Sequence, residues 1–203
     1  MTAFKTAYNQ TLSHEGSFSN DPRDHGGMTY QGISRVKNPQ WEGWAVVDSV
    51  ISKLKIKTEA QIAKALQKRK DLPEMVEGFY FTSFWQRLLL DELEEEAIAI
   101  ELYEQAVNQG AATAARHLQY ALNLLNRNGK DYQDIKVDGV VGKRTLAAFK
   151  AYMQTASLPT RSRERNTHTL LKILNALQFD RYRDFCAAHP DQEVFIYGWI
   201  NRV

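Results

Sequence analysis

Apolar residues recur along this chain mostly at helical spacing. Phe4, Tyr8 and Leu12 stand four apart and predict an opening helix that Gly16 stops. Ile98, Leu102 and Ala106 repeat the pattern ahead of Gly110. Leu118, Leu122 and Leu125 do so ahead of Gly129. Leu146, Phe149 and Met153 open a further helix, and Leu170, Leu174 and Leu177 form a stripe that Pro190 closes. The stretch "TEAQ" has the form of a capping box, with Thr58 as N-cap and Gln61 three residues on. Pro73 is expected to end or interrupt the region that follows. The run "MVEGFYFTSFWQRLLL" brings Tyr80, Phe84 and Trp85 together, and the apolar tail "VFIYGWINRV" is expected to dock on the body.

From Gly16 to Gly32 the periodicity disappears, and Gly, Pro, Asn, Asp and Ser dominate. That composition predicts a loop or a short, irregular hairpin. "NPQWEG" marks a turn, "DYQDIKVDGVVGKRT" a turn-rich connector and "SLPTRSRERN" a polar break. No alternating pattern is sustained long enough for a regular strand. The fold class is therefore all-α, with at most a small β element inside 16–35. The acidic run "DELEEE" suggests a division near residue 95.

Charge narrows the function classes. The chain's 26 Lys+Arg and 24 Asp+Glu leave a net charge of +2 over 203 residues. The densest basic run, "KALQKRK", sits at helical spacing and is a solvated helix face. Nucleic-acid binding through charge is not expected. The single cysteine, Cys186, cannot form an internal disulfide and is assigned to packing. No apolar run approaches the ~20 residues of a membrane-spanning helix, so membrane insertion is not expected. The N-terminus lacks the apolar core of a signal peptide. The expectation is a soluble protein made in the cytoplasm, with export left to another system.

The candidate chemistry sits in "HEGSFSNDPRDHGGMTYQGIS". Glu15 follows Leu12 by three residues, close to the apolar stripe and at the C-terminal end of the first helix. The helix dipole and partial burial both disfavour an ionised carboxylate there. A glutamic acid kept protonated near neutral pH is what a general acid needs. Glycosidic bonds are commonly cleaved between two carboxyl groups, and the loop supplies two partners, Asp21 and Asp24. Gly26 and Gly27 would let backbone approach a bulky polymer, and Thr29 adds a hydroxyl for a water or a sugar group. The same residues could equally serve turns. "GGMTYQG" does not fit a phosphate-binding loop, and His14 and His25 do not form a metal spacing with Asp21, so neither metal nor cofactor is expected.

"EGSFSNDPRDHGGMTYQGIS" resembles the signature of glycoside hydrolase family 108, lysozyme-like N-acetylmuramidases of bacteria and phages, some described as secretion activators. The likeness rests on Glu15, Gly16, Asn20, Asp21, Pro22, Asp24, Gly26, Gly27, Thr29, Gly32 and Ile33. Asn108, Gly110, Leu118 and Gln119 resemble a later family segment. "VDGVVGKRTL" resembles the accompanying peptidoglycan-binding-like module through Asp138, Gly139, Gly142, Thr145 and Leu146. Ser17 replaces the family's second glycine, and Lys143 replaces a usual proline. The resemblance implies a lysozyme-like catalytic region over 1–95, α+β at most, and a helical peptidoglycan-binding-like region over 96–203.

The same resemblance places the catalytic glutamate on Glu15. In phage-type lysozymes an Asp follows the acid by nine residues and a Thr comes soon after. That order favours Asp24 over Asp21 and assigns Thr29 to the catalytic set. Asp21 then builds the turn beside Pro22 and, with Tyr30 and Asn108, contacts substrate. Tyr80 and Trp85 are either a sugar-stacking surface or core. The expected partner is the peptidoglycan glycan strand, cut between N-acetylmuramic acid and N-acetylglucosamine by a monomeric, endolysin-like enzyme. The alternatives are a non-catalytic wall-binding or secretion-assisting protein on the same scaffold, a lytic transglycosylase, or a chitinase.

Overall fold

The computed structural model describes residues 2–12, 18–20, 27–55, 58–158 and 160–200. Helices dominate, and a small antiparallel sheet is the β element described. The chain divides into two compact units, Met1–Ser83 and Phe84–Val203.

The first unit opens with α1 (Ala3–Leu12), whose buried face carries Phe4, Ala7 and Tyr8. The sheet follows: β1 (Phe18–Ser19), β2 (Thr29–Tyr30) and β3 (Ile33–Ser34), in the order β1-β2-β3. Phe18 pairs with Tyr30, and Tyr30 with Ile33. The two-residue connection Gln31-Gly32 takes φ of +47° and +74°. Positive φ at both positions marks a type I′ hairpin, the turn whose twist matches the strands it joins. Two-residue strands are too short to leave an alternating signature, so sequence periodicity reduced them to an irregular hairpin.

Three helices complete this unit: α2 (Gly43–Lys53), α3 (Glu59–Leu66) and α4 (Leu72–Tyr80). Helix α2 falls where sequence periodicity predicted none. It starts on glycine without a side-chain cap, and it buries Gly43, Trp44 and Val47. Thr58 does stand at the N-cap of α3, but its side chain makes no capping bond. Its carbonyl accepts from Gln61 N and Ile62 N instead. Pro73 begins a helix rather than ending one. It lies in the first turn of α4, where its missing N–H has no intrahelical partner to lose. The Asp71 side chain caps that turn by accepting from Leu72 N at 3.1 Å.

Aromatic rings link these elements. Phe4 meets Phe81 edge-on at 5.0 Å, and Tyr8 meets Tyr80 at 5.8 Å. Tyr30 stacks on Trp41 at 6.2 Å, and Trp41 meets Trp44 at 5.1 Å. Such pairs add about 0.5–1.5 kcal/mol each beyond the area they bury.

The division between the units falls inside a π-helical turn, Phe81–Gln86, that continues α4. In the second unit a 3-10 turn (Leu90–Glu92) leads into α5 (Glu96–Gln109). Gly110, at φ +92°, separates α5 from α6 (Ala111–Leu125). A single residue suffices for the reversal because glycine reaches that backbone region without a Cβ penalty. Then come α7 (Lys143–Gln154), the long α8 (Arg163–Ala188) and the short α9 (Ile196–Ile200). Helices α5, α6 and α8 pack mutually, and α7 lies against α6 and α8.

The buried stripe of α8 is Asn166, Leu170, Leu174, Gln178, Tyr182 and Cys186. It repeats strictly every four residues and includes two amides. Leu177, expected on the stripe, is only partly buried. Cys186 is a free, buried packing residue, as expected. Trp199 of the tail stacks on Tyr182 at 5.4 Å.

Candidate active site

Glu15, Asp21 and Asp24 lie outside the described residues. The strand β2 carries Thr29 and Tyr30 side by side. Thr29 is half-buried, pairs with Ser19 and Ser34, and donates its hydroxyl to Gly27 O at 3.2 Å. Gly27 has φ +62°, and a Cβ there would lie 2.9 Å from Val36 Cγ2. The glycine is needed both for its backbone angle and for the space.

Tyr30 is 5% exposed, its ring against Trp41. Burial, and then the charge of Asp71, raise its pKa. Burial likewise pushes Tyr8 up to about 12, with Glu77 and Tyr30 adding to the effect. Both phenols therefore stay protonated at neutral pH. The Tyr80 hydroxyl donates to Gln31 O at 2.9 Å, which pins the β2–β3 turn to α4. On the other side of the sheet, Asn20 N donates to Glu59 Oε1 at 2.6 Å. Arg35, just after β3, makes a bidentate pair with Asp48 at 2.6 and 2.7 Å. The hairpin carrying Thr29 is thus tied to α2, α3 and α4 by side chains.

Asn108 is half-buried near the end of α5, within the second unit. The choice left open for Tyr80 and Trp85 resolves to core, since they are 2% and 1% exposed. Neither ring has a free face for a sugar. Trp85 Nε1 donates to Asp91 Oδ1 at 2.8 Å, so the acidic run begins with a structural role. Among the described residues, no group of three or more His, Cys, Asp or Glu could hold a metal ion.

The second unit also holds a buried polar network that sequence reading missed. Gln105 is fully buried and donates to Glu101 Oε1 at 2.7 Å and to Leu174 O at 3.1 Å. Its carbonyl accepts from His117 Nδ1 at 2.8 Å. Burial raises the Glu101 pKa to about 7 against the pull of Gln105. Burial also lowers His117 to about 4, helped by Arg181. Glu101 lies in the same helical turn as the stripe residues Ile98 and Leu102, a position that could have flagged a buried carboxyl.

The "DGVVG" motif is organised from within. Gln119 Nε2 donates to Asp138 Oδ1 at 2.9 Å, Val140 O at 3.0 Å and Thr145 Oγ1 at 3.3 Å. Its Oε1 accepts from Gly139 N at 2.9 Å. Thr145 does not initiate α7, which starts at Lys143 with Gly142 as an N-cap that has no side chain to bond.

Residues 8–110 match the glycosyl hydrolase 108 family, and residues 113–203 match a predicted peptidoglycan domain. The first match ends where α5 ends, so it includes a helix that packs within the second unit. Among solved structures the chain is similar to SagA of Brucella abortus, with a TM-score of 0.57 and 21% identity. That likeness covers 98% of this chain and 88% of the other, and at such identity it speaks to fold alone. Among curated proteins, none matches the chain.

Proposed function

This chain belongs to the glycosyl hydrolase 108 family and is a lysozyme-like protein acting on peptidoglycan; from that premise we propose that it hydrolyses the bond between N-acetylmuramic acid and N-acetylglucosamine. The observation that carries the reading is the family match itself, which runs from residue 8 through Glu15, Asp24 and Thr29.

Glu15 is the general acid. Its carboxyl proton passes to the glycosidic oxygen as the bond from that oxygen to C1 breaks. Either Asp24 faces the developing positive charge on the sugar and the Glu15 carboxylate, its proton given up, takes the proton of the attacking water, or Asp24 takes that proton itself. The water's hydroxyl adds to C1, and the leaving sugar departs with the proton from Glu15. Thr29 positions that water. Its hydroxyl hydrogen is committed to Gly27 O, which leaves the oxygen as an acceptor. Support for this role comes from the hairpin, which holds Thr29 by pairing, by the Gly27 contact and by the Tyr80 anchor. Asp21 builds the turn beside Pro22. Tyr30, buried and protonated, orients the strand that reaches substrate.

The test is Glu15→Gln on purified peptidoglycan, read as reducing sugar released. The variant is expected to fold with unchanged circular dichroism and to release none. Release at the parent's rate would refute the assignment. Mass spectrometry of the products separates hydrolysis from transglycosylase chemistry, which leaves anhydro-sugar ends. Binding without release by the parent chain would mean a non-catalytic wall protein.

A further inference from the structure

Helix α7 turns Leu146, Ala147, Lys150, Met153 and Gln154 toward one side, at spacings that share a helix face. Together with Glu92, Glu94 and Arg163 they enclose a cleft of about 410 Å³. That volume falls in the range of roughly 300–1,000 Å³ typical of small-ligand sites. Its floor is apolar: Phe149 and Met153 are buried and Leu146 half-buried. Its rim is charged with both signs.

The rim charges are not equally available. The Arg163 guanidinium pairs with Glu95 at 2.9 Å and donates to Glu94 O at 2.7 Å, which fixes it as wall. Among the described residues, Lys150, Glu92 and Glu94 form no side-chain ion pair, and all three are exposed. The Lys150 ammonium and the Glu92 and Glu94 carboxylates thus line one cleft with an apolar floor, the Glu94 charge also acting on Arg163.

This lining does not suit an uncharged N-acetyl sugar. The one aromatic residue in it, Phe149, is 4% exposed and has no open face for stacking. Gln154 is the one neutral amide side chain that lines the cleft. A short peptide with a free ammonium, free carboxylates and small side chains meets the rim and the floor together. We propose that the cleft binds the stem peptide of peptidoglycan. Lys150 takes a peptide carboxylate, Glu92 and Glu94 take the ammonium of its diamino acid, and the floor takes alanyl methyl groups. The inference rests on the reading that the chain acts on peptidoglycan and deepens it: the second unit recognises the peptide while the glycan is cut elsewhere.

The experiment is calorimetric titration of the full chain with a free tetrapeptide of alanine, γ-linked glutamate, a diamino acid and alanine. The parent is expected to bind it, and Lys150→Glu and the pair Glu92→Gln/Glu94→Gln each to bind at least tenfold more weakly. Acetylating the side-chain amine of the peptide should weaken binding to the parent and leave the Glu92→Gln/Glu94→Gln protein indifferent. Glycan strands stripped of peptide should not compete. No binding by the parent, unchanged affinity in both variants, or competition by stripped glycan would each overturn the proposal. Reducing-sugar release by the same parent preparation is measured alongside. Cutting without peptide binding sinks the cleft alone, and peptide binding without cutting sinks the hydrolase reading alone.

Discussion

Replacing Gln119 with Leu removes the amide that organises the "DGVVG" turn, and the size of the effect can be worked out from its bonds. Gln119 is 1% exposed, and leucine is close enough in volume to leave little cavity. What is lost is hydrogen bonding. The Gly139 N–H, part-buried, loses its acceptor at 2.9 Å. Val140 O and the buried Thr145 hydroxyl lose a shared donor. A stranded buried donor costs about 1–3 kcal/mol, and an ordinary bond about 0.5–1.5 kcal/mol. Since part of the turn can rehydrate, the sum is about 2–3 kcal/mol. With a urea slope of ~2 kcal/mol per molar, the unfolding midpoint should fall by roughly 1 M. Tryptophan fluorescence follows the transition, and hydrogen exchange at the Gly139 amide locates it. Thr145→Val, which removes only the 3.3 Å bond, should shift the midpoint far less. A fall of under ~0.2 M in Gln119→Leu, with Gly139 still protected, would show that the amide does not hold the turn.

Other consequences follow from single features. Folded Glu101 holds its proton more tightly than its ordinary value of 4.5 allows, so its contribution favours folding at low pH and is lost as pH rises to about 7. Glu101→Gln should thus be more stable than the parent at pH 8, by roughly 2–3 kcal/mol, and equal to it at pH 4, as read from urea midpoints. His117 runs the opposite way: stability is present above 6.5 and lost as pH falls toward about 4. His117→Gln should match the parent at pH 8 and exceed it near pH 4.5. In Gly43→Ala the new Cβ would lie 2.3 Å from the Trp41 ring. The ring must shift, at about 1–3 kcal/mol. Because Tyr30 stacks on Trp41 beside Thr29, wall lysis should drop several-fold along with stability; unchanged lysis would disconnect Trp41 from the site.

The helices that were legible in the sequence are the ones that bury long aliphatic stripes. Ile98, Leu102 and Ala106 of α5, and Leu118 and Leu122 of α6, are all buried where their spacing put them. Helix α2 was not legible, because it buries little and starts on glycine. Pro73 was misread because proline signals a stop inside a helix and a start at its first turn, and spacing alone does not say which. For the candidate site, the sequence singled out the glycine-rich stretch and its carboxylates, which lie outside the described residues. It did not mark Tyr80, 49 residues from the Gln31 carbonyl it holds. Nor did it mark Gln105 and Gln119, since a polar residue in a helix reads as surface until its buried partners are known.

The sequence by itself determined the helical class, the glycine-bearing hairpin and the family, because periodicity and backbone-permissive residues are local signals carried by neighbours in the chain. Only the tertiary structure decided which polar side chains are interior, which aromatic rings are core, and that Lys150, Glu92 and Glu94 line one cleft. Those depend on desolvation and on contacts between segments far apart in sequence, and no spacing rule encodes either one.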